Sequence, residues 1–279
     1  MSTTRRASCV IGWPARHSRS PKLHGYWIRK YGLDAEYGIE EQPAEAFADF
    51  VGTLAARGYV GANVTMPHKD AALALSQPDA RALAVGAANT LWLENGVLRS
   101  TNTDVEGFTG ALDAVSPDWH SRVSAAVVLG AGGAGRAVVY GLLERGVKTV
   151  HVVNRSLDKA QSLRGRFGNA VQPVAWEARD TVLDGAQLLV NATSLGMMGH
   201  PALEIDLGTL AGDAVVADIV YVPLATPLLA QARARGLVTS NGLDMLLHQA
   251  VRGFELWFGV RPAVTRELYE LVAADLNGL

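Results

Sequence analysis

An α/β fold in two domains is what this sequence predicts, and three observations predict it. From about Ser121 onward, short apolar runs (AAVVLG, TVHVVN, QLLVNA, AVVADIV, GLVTS) alternate with helical stretches. Such alternation marks βαβ units stacked on a parallel sheet whose strands are buried on both faces. The chain before that point has a different texture, with short helices and a hairpin signal. From Gly242-Leu243 to the end it reads as two helices with no further strand, which cannot extend a sheet and must pack elsewhere. The expected division is residues 1–105 with 240–279 in one domain and 106–239 in the other.

Taken in order, the segment from Ala7 to Gly12 (ASCVIG) reads as a buried strand, and Cys9 within it as a packing residue, since free cysteine behaves as a small hydrophobe. The loop WPARHSRS leads into PKLHGYWIRKYG. There Ser20 before Pro21 predicts an N-cap hydroxyl followed by proline at the first helical position, where its missing N–H costs nothing, and Gly32 ends the helix. A second helix is expected from Ala44 to Arg57, closed by Gly58. YVGANVT is a short strand that runs into Met66-Pro67 and then a helix rich in Ala and Leu. Asn95-Gly96 between TLWLE and VLRST predicts a hairpin with a type I′ turn. Asn102-Thr103-Asp104 opens a helix with Val105, Phe108, Leu112 and Val115 on one face.

Composition excludes several classes of function. The 279 residues carry 25 Lys+Arg against 27 Asp+Glu, a net charge of -2, which argues against a protein that tracks nucleic-acid phosphates. With 49% hydrophobic and 19% charged residues the chain can build sizeable cores. No apolar run approaches the roughly 20 residues needed to span a bilayer, and MSTTRRASCVIGW is too polar and too short for a signal peptide. A cytoplasmic protein with no membrane or nucleic-acid partner is therefore expected. The single cysteine excludes an intrachain disulfide and a cysteine-based zinc site, and the 7 histidines show no H-E-x-x-H or paired spacing, so no metal is expected. No G-x-S-x-G occurs to suggest a serine hydrolase.

The run VVLGAGGAGRAVVYGLLERG follows a strand and opens a helix that Gly146 terminates. It places Gly130, Gly132 and Gly135 in G-x-G-x-x-G register, with Ala131, Gly133 and Ala134 completing the loop. The first glycine makes the tight turn, the second lets backbone approach a pyrophosphate, and the third permits close packing of helix on strand. The helix N-terminus then offers N–H groups and a positive dipole end to the anion. This is the pattern of a Rossmann-type dinucleotide-binding domain. A carboxylate at the end of the next strand would hold the 2′-OH of NAD. The strand ends instead in Asn154-Arg155-Ser156, with Lys159 a turn further on. Arg155 can fork two hydrogen bonds onto a 2′-phosphate and Lys159 adds a point charge, which favours NADP(H).

Four polar clusters remain: Ser18-Arg19-Ser20-Pro21, Asn63 to Lys69 (NVTMPHK), Asn89-Thr90, and Asn102-Thr103-Asp104. Each falls at a predicted strand end or helix start, where side chains can point into a cleft. With NGLDMLLHQA near the C-terminus, they resemble the shikimate dehydrogenase family, whose members reduce 3-dehydroshikimate with NADPH. HSRSP, GANVTMPHK, AANT, NTD, GAGGAGRA, NRS, NATSLGM, DIVY-P-TPL and NGL-M-L-QA occur in family order over essentially the whole chain. The resemblance implies an α/β substrate domain completed by the C-terminal helices beside the NADP-binding domain, and reversible reduction of 3-dehydroshikimate in chorismate biosynthesis. It further implies that Ser18 and Ser20 bind the substrate carboxylate, near Tyr221, and that Lys69 is the catalytic lysine with Asp104 as partner. Thr65, Asn89 and Gln249 match positions that contact the substrate, and Thr193 and Gly242 join the cofactor-binding set. His68 reads as structural or solvent-facing, because adjacent helical residues point apart. Gly25, where many members carry asparagine, and Thr101, where Gly or Asp is common, depart from the family pattern. The alternatives are a quinate/shikimate dehydrogenase using NAD and a non-catalytic ligand sensor of the same fold; the assembly expected is a monomer or homodimer.

Overall fold

A computed structural model describes residues 6–276. The chain forms two units, one running to Thr103 and resuming over Gln249–Val272, the other comprising Asp104–His248 and the residues from Ala273.

The first unit comprises β1 (Arg6–Gly12), α1 (Ser20–Lys30), β2 (Ala35–Glu41), α2 (Ala44–Gly52), β3 (Tyr59–Val64), α3 (Lys69–Ala74), β4 (Gln77–Pro78), α4 (Ala80–Val85), β5 (Thr90–Glu94) and β6 (Val97–Thr101). Its sheet runs β2-β1-β3-β5-β6-β4. β1 lies parallel to both neighbours, while β3, β5 and β6 pair antiparallel. Cys9, Ile11, Ala62, Val64 and Leu91 from the strands close a core with Phe47, Phe50, Val51 and Leu54. Asn95 and Gly96 both have positive φ (52° and 78°), the conformation that a type I′ turn requires.

Two local readings are corrected. Ser20 is the first helical residue of α1 and Arg19 the N-cap, with no side-chain cap bond from Arg19. The hydroxyl that receives the backbone N–H of Ser20, at 3.2 Å, is that of Ser18. The second helix stops at Gly52 and the chain continues as turns to Gly58. There Thr53 Oγ1 donates back to the carbonyls of Asp49 and Phe50, a local bond that competes with helix continuation next to a glycine. AEYGIEE, which carries no strand signal, also forms a strand, β2; it is an edge strand that carries Glu36, Glu40 and Glu41 and little apolar character.

The second unit follows with α5 (Asp104–Val115), α6 (Trp119–Arg122), β7 (Ala125–Leu129), α7 (Gly133–Glu144), β8 (Thr149–Asn154), α8 (Leu157–Phe167), β9 (Val171–Ala175), a 3-10 helix (Trp176–Val182), β10 (Leu188–Asn191), β11 (Val215–Asp218), α9 (Pro227–Ala234) and β12 (Val238–Ser240). Its six strands are all parallel, in the order β12-β11-β10-β7-β8-β9. Val128, Val150, Val152 and Val190 face one core and Val127, Leu129, Leu189 and Val216 the other, the period-two division of a sheet buried on both sides. The strand order reverses between β7 and β10, so a crevice is expected beyond their C-terminal ends, at Gly130 and Asn191. VQPVA, equally silent in the sequence, forms β9; it is an edge strand, the one place where the ladder tolerates Pro173.

α10 (Gly242–Phe258) begins in the second unit and ends in the first, and α11 (Arg266–Leu276) follows. Trp257 from the end of α10 donates its indole N–H to Leu91 O at 2.8 Å, over Gly61, where any Cβ would overlap the Trp257 ring. Trp27 of α1 donates to Ala263 O at 3.1 Å. These bonds complete the first unit with C-terminal helices. Among the described residues no helix is long and apolar enough to cross a membrane.

Candidate active site

In the first unit the polar residues gather where the end of β3 meets the start of β5. Thr65, just past β3, donates its backbone N–H to Ile11 O at 2.9 Å. Lys69 opens α3, and its carbonyl receives the Ala88 N–H at 3.0 Å, which ties that helix start to the segment that carries Asn89 into β5. Asn89 is buried, and its Oδ1 accepts from Thr103 N at 2.7 Å and from the Thr90 and Thr103 hydroxyls at 3.2 Å each. Gln249, buried on α10, has its Oε1 at 3.4 Å from Thr103 Oγ1. His68 is structural: it is buried, stacked on Phe47 at 4.3 Å, with Nε2 at 2.7 Å from Gln42 O.

In the second unit the glycine-rich turn has the geometry its spacing implies. Gly130 has φ +103°, and a Cβ there would lie 2.8 Å from Ala192 O. A Cβ on Gly135 would overlap the carbonyl oxygen of Gly130. Gly132, by contrast, has extended backbone (φ -78°, ψ -170°) and open space where a Cβ would be, and no side chain caps the α7 N-terminus that it begins. An open backbone face leading into an uncapped helix of 12 residues fits a pyrophosphate. Asn154 Oδ1 accepts the Ala131 N–H at 3.2 Å and its Nδ2 donates to Ser156 O at 2.8 Å, binding the end of β8 to the turn. Arg155, Ser156 and Lys159 are exposed beyond it. Thr193 follows β10, its hydroxyl donating to Asn191 Oδ1 at 2.7 Å and accepting from Leu195 N at 3.0 Å. Gly242 is a packing position as well, since a Cβ there would overlap Ile219 O. Asp104 is buried at the start of α5, and Tyr221 is half-buried in the loop after β11.

Three family profiles match the chain: the shikimate dehydrogenase substrate binding domain over residues 10–91, shikimate / quinate 5-dehydrogenase over 115–199, and the shikimate 5'-dehydrogenase C-terminal domain over 242–266. A shikimate dehydrogenase (NADP(+)) of Rhodopseudomonas palustris strain TIE-1 is 62% identical over 276 residues, 99% of each chain. The chain belongs to the shikimate dehydrogenase family. Among solved structures, a shikimate 5-dehydrogenase of Thermus thermophilus in complex with NADP(H) and shikimate is 35% identical, with TM-score 0.85 over 97% of this chain and 99% of that one. A quinate dehydrogenase of Corynebacterium glutamicum in complex with NAD is 31% identical, with TM-score 0.87 over 96% and 98%.

Within this shikimate dehydrogenase fold further residues hold the site, to which the sequence assigned no role. The half-buried Tyr37 and the buried Asn63 lie beneath Asn89 and are joined by a 2.6 Å hydrogen bond. Asp218, at the end of β11, accepts from Asn191 Nδ2 at 3.0 Å, Val220 N at 3.0 Å and Thr226 Oγ1 at 2.7 Å. It thereby ties the loop carrying Thr193 to the loop carrying Tyr221; burial raises its pKa, and these three donors oppose the rise. The available signal was a polar residue closing an apolar strand, as in LLVN and VVAD, where a buried side chain must find partners.

Proposed function

We infer that this chain catalyses the reversible, NADPH-dependent reduction of 3-dehydroshikimate to shikimate, in the cytoplasm, as a step of chorismate and aromatic amino-acid biosynthesis. The observation that carries the reading is the conjunction, in one member of this family, of a buried amide array beside Lys69 with a glycine-rich turn shaped for a pyrophosphate.

The residues of the turn, Gly130 to Gly135, hold the pyrophosphate, with Thr193 and Gly242 completing the cofactor-binding set. Asn154, Arg155, Ser156 and Lys159 read the ribose phosphate. When bound, NADPH supplies the hydride. The Ser18 and Ser20 hydroxyls donate to the substrate carboxylate, with Tyr221 beside it, and Thr65, Asn89 and Gln249 hold the ring hydroxyls. Reduction of a ketone leaves negative charge on its oxygen. The Lys69 ammonium donates a proton to that oxygen, and Asp104 is assigned the role of its acidic partner; in the reverse direction Lys69 takes the alcohol proton.

A steady-state assay of shikimate and quinate, each with NADP and NAD, tests the reading. The highest kcat/KM is expected for shikimate with NADP. A maximum for quinate with NAD would make the chain a quinate dehydrogenase, and binding without turnover of any pair would make it a sensor.

A further inference from the structure

Two loops of the first unit, the one after β1 that carries Ser18 and the one after β3 that carries Thr65 and His68, are tied to the same two residues at the end of β2. Glu41 is the last residue of β2, opposite Gly12 of β1, and Gln42 donates its backbone N–H to Gly12 O at 3.1 Å. That pairing holds Glu41 against the sheet. From there its carboxylate reaches into the loop after β1, where Glu41 Oε1 accepts the Ala15 N–H at 2.9 Å and the Arg16 N–H at 3.2 Å. Gln42 O, in turn, accepts from His68 Nε2 at 2.7 Å, one residue before Lys69.

An ion pair does not account for the contact with the first loop. Arg16 Nε lies 3.7 Å from Glu41 Oε1, but the Arg16 side chain is 68% exposed, and such a pair contributes little in water. The backbone bonds matter more, because an ionised acceptor makes hydrogen bonds roughly twice as strong as a neutral one. The Ala15 N–H above all holds the Glu41 carboxyl below its ordinary pKa, which keeps the acceptor charged at neutral pH.

The backbone that Glu41 pins leads directly to Ser18. Ala15 O accepts the Ser18 N–H at 2.9 Å, and Ser18 Oγ accepts the Ser20 N–H at 3.2 Å where α1 begins. A hydroxyl that accepts from the chain keeps its single proton to donate. Without the carboxylate, Ala15 and Arg16 lose these ties to β2, and the turn that ends in Ser18 is free to shift.

We propose that Glu41 is a positioning residue for the substrate carboxylate: it pins the backbone of Ala15 and Arg16 so that the Ser18 hydroxyl stands where that carboxylate binds. The proposal rests on the reading of Ser18 as a carboxylate-binding residue. It deepens that reading by assigning part of the affinity to a residue that acts from behind the loop.

The test uses the full-length protein. Glu41→Met removes the acceptor at nearly constant side-chain length, whereas Glu41→Gln keeps an acceptor oxygen and removes the charge. KM for shikimate is expected to rise about five- to tenfold in Glu41→Met and to stay within about threefold of wild type in Glu41→Gln, with kcat and KM for NADP within about twofold in both. Backbone amide exchange at Ala15 and Arg16, read by NMR without ligand, should accelerate roughly tenfold or more in Glu41→Met and stay unchanged in β1. A cycle with Ser18→Ala separates positioning from general support of the loop. A group that acts through Ser18 has nothing to act on once the hydroxyl is gone, so KM of the double variant should lie within about twofold of Ser18→Ala alone. Additive losses overturn the proposal, as do unchanged KM or unchanged exchange in Glu41→Met, equal KM in Glu41→Met and Glu41→Gln, or an increase shared equally by shikimate and NADP. If Glu41→Met does not fold, Glu41→Ala enters the same cycle. A wild type that neither binds nor turns over shikimate would defeat the proposed function and this proposal with it, whereas normal wild-type turnover with an additive cycle would defeat this proposal alone.

Discussion

Replacing Gly132 or Gly135 with alanine adds one methyl group to the same turn, and the two substitutions are expected to fail in opposite ways. At Gly132 the backbone is extended and no atom lies within 4 Å of the new carbon. Alanine there gains about 0.4–1 kcal/mol from a stiffer unfolded chain and loses a comparable amount as a poorer N-cap than glycine. Stability without cofactor should therefore stay within about 1 kcal/mol of wild type. The methyl nevertheless occupies the face that a pyrophosphate must approach, and NADP binding should weaken by about tenfold or more, equivalent to at least about 1.4 kcal/mol. At Gly135 the new carbon overlaps Gly130 O and lies 3.0 Å from its carbonyl carbon. Gly130 cannot retreat, because its N–H is bonded to Val153 O at 2.8 Å and Ala192 O lies on its other side. Overpacking against backbone should cost about 1–3 kcal/mol before any cofactor is added. Urea unfolding without cofactor and titration of NADPH fluorescence measure the two effects separately. Equal destabilisation of both variants, or wild-type NADPH affinity in Gly132→Ala, would refute the division of roles between the two glycines.

Lys69→Ala should lower kcat by about 10² to 10⁴ with a modest change in KM for shikimate, and Asp104→Asn should be similarly severe and far from additive with it; a kcat within a few-fold of wild type removes Lys69 from proton transfer. Arg155→Ala should raise KM for NADP by about 10- to 100-fold and leave NAD nearly unchanged. Because Arg155 is exposed, the difference should shrink as salt rises, and a parallel loss for both cofactors would mean that it supports the loop instead. Burial among aromatic rings lowers the pKa of His24 from 6.5 to about 3. Below pH 6.5 the unfolded chain therefore binds a proton that the folded one refuses, and the His24 contribution falls on acidification by about 1.4 kcal/mol per pH unit until the folded pKa is reached. His24→Phe should remove that slope from the pH dependence of urea unfolding while keeping the ring packing; identical slopes in wild type and variant would show that His24 is not held neutral.

Local rules were sufficient wherever one short segment carries both the signal and its cause. Asn95-Gly96 adopts the positive-φ pair that its turn needs, and the central strands β7, β8, β10 and β11 announce themselves as apolar runs because both of their faces are buried. Gly130 and Gly135 of the turn after β7 were legible for the same reason, since a backbone conformation or close approach that excludes a Cβ leaves a residue type behind. Edge strands were not. β2 and β9 exist because β1 and β8 offer them unpaired backbone, and their own residues scarcely differ from a loop. α2 ended early because Thr53 found carbonyls one turn back, a competition that periodicity does not register. The polar interior lay furthest from the sequence. Motif order marked Asn89, Gln249 and Thr193 and set Asn63 and Thr103 in polar clusters, whereas Tyr37 and Asp218, and the bonds by which all four orient the site, became identifiable only in the fold. Thr103 meets Gln249 across 146 residues, and Asp218 meets Asn191 across 27. A buried polar atom must be paired, and which partner it finds is decided by tertiary packing, because hydrogen bonds select by distance and direction in space and carry no trace of separation along the chain.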